Sequence, residues 1–177
     1  MKTVDKLLSE KMMTLVRCNT QKEGQEMSDA LVDAGVKVIE ITLTTPGALK
    51  IIEKLLKNKD LLVGAGTVRS VKDVKKVEAI GARFIVSPDT NEDVISATKK
   101  LKLVSMQGVS TPTEVGIAVD AGADILKLFP ASVLGPAHLK SIIEPFPNNR
   151  WCPTAGVTLD SIPKWFEAGA DLEWNPR

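Results

Sequence analysis

Ala121-Gly122-Ala123-Asp124-Ile125-Leu126-Lys127-Leu128-Phe129-Pro130 closes one kind of element and opens another. Gly122 stands where a helical pattern ends, the place for a left-handed cap. The apolar run after it is rich in strand formers, and Pro130 stops it because proline has no N–H for a ladder. With a side-chain period of two, Ile125, Lys127 and Phe129 share one face, and Leu126 and Leu128 share the other. An ammonium flanked on its own face by Ile and Phe is partly desolvated. Burial disfavours its charged form and leaves some neutral amine able to attack a carbonyl carbon. The plain alternative is an edge or surface lysine, as most lysines of the chain must be.

The same helix-to-strand punctuation recurs at Ala34-Gly35-Val36, Ile80-Gly81-Ala82 and Ala168-Gly169-Ala170, at intervals of about 41–47 residues. That interval suits two strand–helix units per period, and alternating strands and helices imply a parallel sheet. A leading helix spans roughly 3–11. Strands follow near 14–18, 36–43, 61–66, 83–86, 103–106, 123–130 and 151–154. Helices fall near 21–34, 46–56, 70–80, 91–100, 113–121, 136–144 and 159–168. Seven consecutive units favour a (β/α)8 barrel of the TIM type over an open doubly wound sheet. Asp171-Leu172-Glu173-Trp174-Asn175-Pro176-Arg177 is too short and too charged for a central barrel strand plus helix. The expectation is one barrel domain over 1–177, incomplete at its C-terminus, with the eighth unit largely missing and the first and seventh strands left as open edges.

Composition bounds the function. The 177 residues carry 23 basic and 22 acidic side chains, a net charge of +1 that gives no reason to expect a nucleic acid or a membrane as partner. No apolar run approaches the roughly 20 residues needed to cross a bilayer, and the N-terminus does not read as a signal peptide. Cys18 and Cys152 sit in separate apolar runs and read as buried thiols of a cytoplasmic protein, with a disulfide left open. The one histidine, His138, reads as a solvated helix residue, and there is no tyrosine. A metal site built on several histidines is impossible. Acid–base work falls to carboxylates, lysines or water.

In a barrel of this type, chemistry sits at the C-terminal ends of the strands. The second strand puts Val36, Val38, Glu40, Thr42 and Thr44 on one face, and a carboxylate among valines is costly unless paired or functional. Glu40 is therefore the natural partner of Lys127, as proton carrier or as one half of a purely structural ion pair. Val63-Gly64-Ala65-Gly66-Thr67 ends the third strand. Its glycines let a substrate approach the backbone or simply allow tight barrel packing, and Thr67 offers a hydroxyl. Cys152-Pro153-Thr154-Ala155-Gly156 ends the seventh strand, where backbone N–H groups could hold a phosphate. Ser87-Pro88-Asp89 and Gly108-Val109-Ser110-Thr111-Pro112 are the corresponding loops after the fourth and fifth strands, as readily turn chemistry as ligand contacts.

Ile39-Glu40-Ile41-Thr42, Val63-Gly64-Ala65-Gly66-Thr67-Val68, Phe84-Ile85-Val86-Ser87-Pro88, Leu126-Lys127-Leu128-Phe129-Pro130-Ala131 and Cys152-Pro153-Thr154-Ala155-Gly156, in that order, resemble the KDPG/KHG aldolase family. KDPG is 2-keto-3-deoxy-6-phosphogluconate, and KHG is 4-hydroxy-2-oxoglutarate. The resemblance implies a class I aldolase acting on a small 2-keto acid. It also implies a homotrimer in the cytoplasm that needs no metal or organic cofactor. The family's Schiff-base lysine falls on Lys127 and its general acid/base on Glu40. Thr67 matches the threonine at the pyruvate end, and Arg17 an arginine that would hold a carboxylate. Thr154, Ala155 and Gly156 match the phosphate loop, with Ala155 replacing the first of two glycines. Thr44, Pro88 and Phe129 complete the candidate substrate contacts. The family's eighth strand, with its phosphate-binding Gly-Ser, finds no counterpart, so weak phosphate dependence is expected. Two alternatives stand beside this reading: an aldolase for the galactonate-derived isomer, and a shortened barrel persisting as a non-catalytic oligomer.

Overall fold

Every expected strand forms, and helices alternate with strands along the chain. The computed structural model describes residues 2–175. Helix α1 (Thr3–Glu10) precedes β1 (Met12–Val16) and α2 (Gln21–Asp33). Then come β2 (Val38–Thr42), α3 (Ala48–Leu55), β3 (Leu62–Gly66), α4 (Val71–Ala79), β4 (Phe84–Val86) and α5 (Glu92–Lys100). The second half runs β5 (Val104–Val109), α6 (Pro112–Asp120), β6 (Ile125–Leu128), α7 (Ala131–Ile143), β7 (Trp151–Pro153), α8 (Ile162–Glu167) and β8 (Glu173–Asn175). All pairings are parallel, in the order β7-β6-β5-β4-β3-β2-β1-β8.

Local chemistry explains where helices begin and end. Thr20 with Glu23 and Thr111 with Glu114 form capping boxes that satisfy the first N–H groups of α2 and α6. Gly35, Gly81, Gly122 and Gly169 all carry positive φ, from 82° to 106°, as the punctuation pattern requires.

The curled sheet separates two kinds of core. Outward-facing Ile39, Ile41, Val63, Ala65 and Ile85 pack against α3 and α4, while Leu126, Leu128 and Trp151 pack on the opposite side with Leu139 and Trp165. Inside the barrel, Met13, Val38, Leu62, Phe84, Val104, Met106, Ile125, Cys152 and Leu172 form a layer, closed from below by Leu7 of α1. That apolar floor fills the end of the barrel where the strands begin, leaving the polar residues at the end where they finish.

The structure corrects several expectations. Residues 173–175 form an eighth strand, pairing Met12 with Glu173 and Thr14 with Asn175. The preceding residues tie back to β7: the N–H groups of Asp171 and Leu172 donate to the Trp151 carbonyl at 2.9 and 3.2 Å, and Trp151 N–H donates to Asp171 Oδ2 at 2.9 Å. The β1 edge expected to stay open is thus paired with β8, and the β7 edge is bonded at Trp151 by the connector; Pro176 and Arg177 lie outside the described residues. Strand β5 continues three residues past Met106, because Gln107, Gly108 and Val109 pair with Leu126, Lys127 and Leu128. Helix α7 starts at Ala131 and is broken by Gly135, at φ 77° and ψ 165°. His138 is half-buried, its Nε2 2.9 Å from the Ser110 carbonyl. Neither cysteine is in a disulfide, and Cys152 is buried while Cys18 is partly so.

Candidate active site

Lys127 lies in the middle of β6, between Gly108 of β5 and Cys152 of β7 in the ladder. Its side chain is 4% exposed, and Nζ stands 5.1 Å from the centre of the Phe129 ring. Burial in this low-dielectric setting pushes the ammonium pKa below its ordinary value, against the opposing pull of the Glu40 carboxylate. The surface-lysine alternative is thereby excluded.

Glu40, on β2 between Leu15 of β1 and Gly64 of β3, is 1% exposed. Among the described residues neither of its carboxylate oxygens has a hydrogen-bond partner. Desolvation raises its pKa to about 7, even with Lys127 and Arg17 both pulling the other way. The two groups therefore face each other electrostatically across the barrel interior. A carboxyl group that titrates near neutrality beside an amine with a depressed pKa can pass protons in both directions.

The glycines of this layer turn out to serve the protein's own side chains. A Cβ at Gly64 would stand 2.5 Å from Phe84 Cγ, in the space of its ring, and one at Gly66 would overlap the Glu40 carboxylate. A Cβ at Gly108 would overlap the Pro88 carbonyl and stand 2.9 Å from Asp89 N. The close approach expected of a substrate at Gly64 and Gly66 is thus taken by Phe84 and Glu40. Barrel packing accounts for Gly64, and Gly66 makes room for the Glu40 side chain.

The remaining candidates gather around the strand ends with different fates. Thr67 follows β3 with φ 56°, a left-handed backbone rare for a β-branched residue, and Arg17 Nη2 approaches its Oγ1 at 3.4 Å. Arg17 itself is exposed at the end of β1. Phe129 is half-buried under the Lys127 amine. Thr154 is buried, its N–H donating to the Leu128 carbonyl at 2.9 Å, and Ala155 and Gly156 both carry positive φ, 69° and 86°. The carbonyls of Thr154 and Ala155 accept from Ala131 and Ser132 N–H at 2.8 and 2.7 Å, which pins this loop to the start of α7. Thr44 is exposed and lines a cleft of about 440 Å³ with Pro46, Lys50 and Lys76, a cleft in which Lys127 has no part.

One polar cluster escaped the sequence reading. Thr42 and Thr45 are buried, their hydroxyls 3.1 Å apart; Thr42 Oγ1 donates to the Val16 carbonyl at 3.2 Å, and Cys18 N–H donates to Thr45 Oγ1 at 3.2 Å. This clasp ties the end of β1, and hence Arg17, to the end of β2. The run Thr42-Leu43-Thr44-Thr45 was the available signal.

Fold and site together define a parallel α/β barrel with a desolvated amine beside a desolvated carboxyl group, the equipment for condensing with a carbonyl compound. The sequence model of the KDPG and KHG aldolase family matches residues 4–173, and the chain belongs to that family. A 2-dehydro-3-deoxy-phosphogluconate aldolase of Zymomonas mobilis is 37% identical over 147 residues, 82% of this chain and 70% of the relative. A probable 2-dehydro-3-deoxy-6-phosphogalactonate aldolase of Rhizobium meliloti is 38% identical, covering 74% of this chain and 63% of its own length. Among solved structures, a KDPG aldolase from Legionella pneumophila, with pyruvate captured as a covalent carbinolamine, superposes with a TM-score of 0.88 at 27% identity. That match covers 98% of this chain and 86% of the other.

Proposed function

We propose that this chain is a class I aldolase that cleaves a 2-keto-3-deoxy-6-phospho sugar acid, or 4-hydroxy-2-oxoglutarate, to pyruvate and an aldehyde. The observation that carries the reading is the burial of Lys127 within electrostatic reach of the buried Glu40 carboxyl group, which has no hydrogen-bond partner among the described residues. In its neutral form the Lys127 amine attacks the C2 ketone, and loss of water from the carbinolamine gives an iminium ion. That cation draws the electrons of the C3–C4 bond as it breaks, leaving the enamine of pyruvate and releasing the aldehyde. The carbinolamine hydroxyl needs a proton to leave, and the C4 hydroxyl must lose one. Glu40, with a pKa near 7, serves both steps, a contribution of about 10²–10⁴ in rate.

Arg17 and Thr67 form the carboxylate end of the substrate site, with Phe129 against the chain of Lys127. Thr154, Ala155 and Gly156 form the far end, where the Ala155 and Gly156 N–H groups favour an anion. Thr44 and Pro88 belong to the rim. The protein works as a cytoplasmic homotrimer on a single barrel domain spanning the chain. A second substrate, the galactonate-derived isomer, is supported by the similarity to the Rhizobium meliloti protein, and turnover on the two isomers distinguishes the readings.

Borohydride reduction in the presence of pyruvate tests the mechanism. The expected product is a stable adduct located by mass spectrometry on Lys127 and missing from Lys127→Ala. Wild-type protein without an adduct, or equal trapping in the variant, would refute the imine.

A further inference from the structure

We infer that Gly66 is a positioning residue for the proposed reaction: the bare backbone at the end of β3 is the seat of the Glu40 carboxyl group. This rests on the aldolase reading and adds to it a group that acts through Glu40.

Gly66 does not owe its place to its backbone angles. They are those of ordinary strand, outside the positive-φ region occupied by Gly35, Gly47 or Gly81, so no conformational demand calls for glycine. Space does. A Cβ at position 66 would overlap Glu40 Oε1 and stand 2.5 Å from Cδ and 2.9 Å from Cγ. The contact therefore runs along the whole end of the side chain. Thr42, the ladder partner of Gly66, lies two residues beyond Glu40 on the same face, so the carboxyl group leans along β3 toward the strand end.

Any side chain at 66 drives that carboxyl group off the β3 wall and changes its distance from the charges that set its protonation. Those charges are Lys127 on β6 and Arg17 just past β1, while β3 contributes Gly64 and Gly66. Gly64 is the internal contrast: its missing Cβ makes room for an apolar ring. Two glycines, two residues apart on one face, thus have separable roles.

Gly66→Ala is expected to keep the borohydride-trappable adduct at Lys127 while kcat falls on the order of 10²-fold, the usual consequence of a displaced proton carrier. The limb of the pH–rate profile near neutrality should move. Gly64→Ala should lower the unfolding temperature and leave the position of that limb unchanged. Should Gly66→Ala fold poorly, Glu40→Ala/Gly66→Ala decides: removing the carboxyl group should restore the unfolding temperature to that of Glu40→Ala alone. Wild-type kcat and pH profile in Gly66→Ala would overturn the inference. So would a destabilisation that persists undiminished without Glu40, since the conflict would then be with backbone packing. Failure of the aldolase reading shows itself separately, as wild-type protein that traps no pyruvate; the Glu40–Gly66 coupling in unfolding is read in either case.

Discussion

A carboxyl group buried without a hydrogen bond costs stability whenever it is ionised, and Glu40 puts that cost inside the physiological range. Its folded pKa, about 7, lies above the ordinary value of 4.5. The folded state therefore holds the proton more tightly than the unfolded chain. The associated stability is fully present below about pH 4.5 and is lost as pH rises through 7. Displacing a pKa by one is worth about 1.4 kcal/mol, so the upper limit of this effect is roughly 3 kcal/mol. Glu40→Gln removes the ionisation, so its unfolding temperature relative to wild type should rise between pH 5 and pH 8, by a few degrees at this chain length. Thermal melts at the two pH values check this; a difference that is flat or falls with pH would refute it. Lys127 and Glu40 were both legible in the sequence, because a charge inside an alternating apolar run has few structural explanations. The seat of Glu40 was not. Gly64 and Gly66 read identically in one dimension, and only the side chain packed over each tells them apart.

At the scale of elements, strand ends are held by side chains that look like loop residues in the sequence. The clasp of Thr42 and Thr45 joins the end of β1 to the end of β2 with hydroxyls that are nearly inaccessible to water. Thr45→Val keeps the shape and removes the acceptor for Cys18 N–H, leaving a half-buried donor unsatisfied at a cost of about 1 kcal/mol. The expected result is an unfolding temperature lower by several degrees together with a raised KM, since Arg17 sits inside the clasped segment, and Thr45→Ser should recover both. A drop in stability with unchanged KM would separate the clasp from substrate binding. Helix and strand positions were readable because caps and apolar periods are local signals; Gly35, Gly81, Gly122 and Gly169 behave as their places in the pattern require. The extension of β5 through Gln107 and Gly108 was not readable. Neither residue favours a strand by itself, and pairing with β6 overrides that preference.

The whole molecule depends on how the sheet closes, and there the sequence points the wrong way for a physical reason. A central parallel strand is ordinarily apolar on both faces, so the acids of Asp171-Leu172-Glu173-Trp174-Asn175 argued against one. In the fold, Asp171 is a connector rather than a strand residue. Its carboxylate takes the N–H of Trp151, its own N–H and that of Leu172 go to the Trp151 carbonyl, and Leu172 drops into the barrel floor. One aspartate thereby anchors to β7 the connector that leads into residues 173–175. Asp171→Ala leaves a backbone donor on β7 without its charged acceptor, at a cost of about 1.5–3 kcal/mol. The damage should be local: faster amide exchange at Trp151 and through Met12–Thr14, with protection retained in β3 and β4 on the far side of the sheet. Exchange followed residue by residue makes this measurable. Unchanged protection at Trp151 would mean that the barrel closes through its apolar floor alone, whereas uniform loss across all strands would mean that closure and folding are one cooperative event.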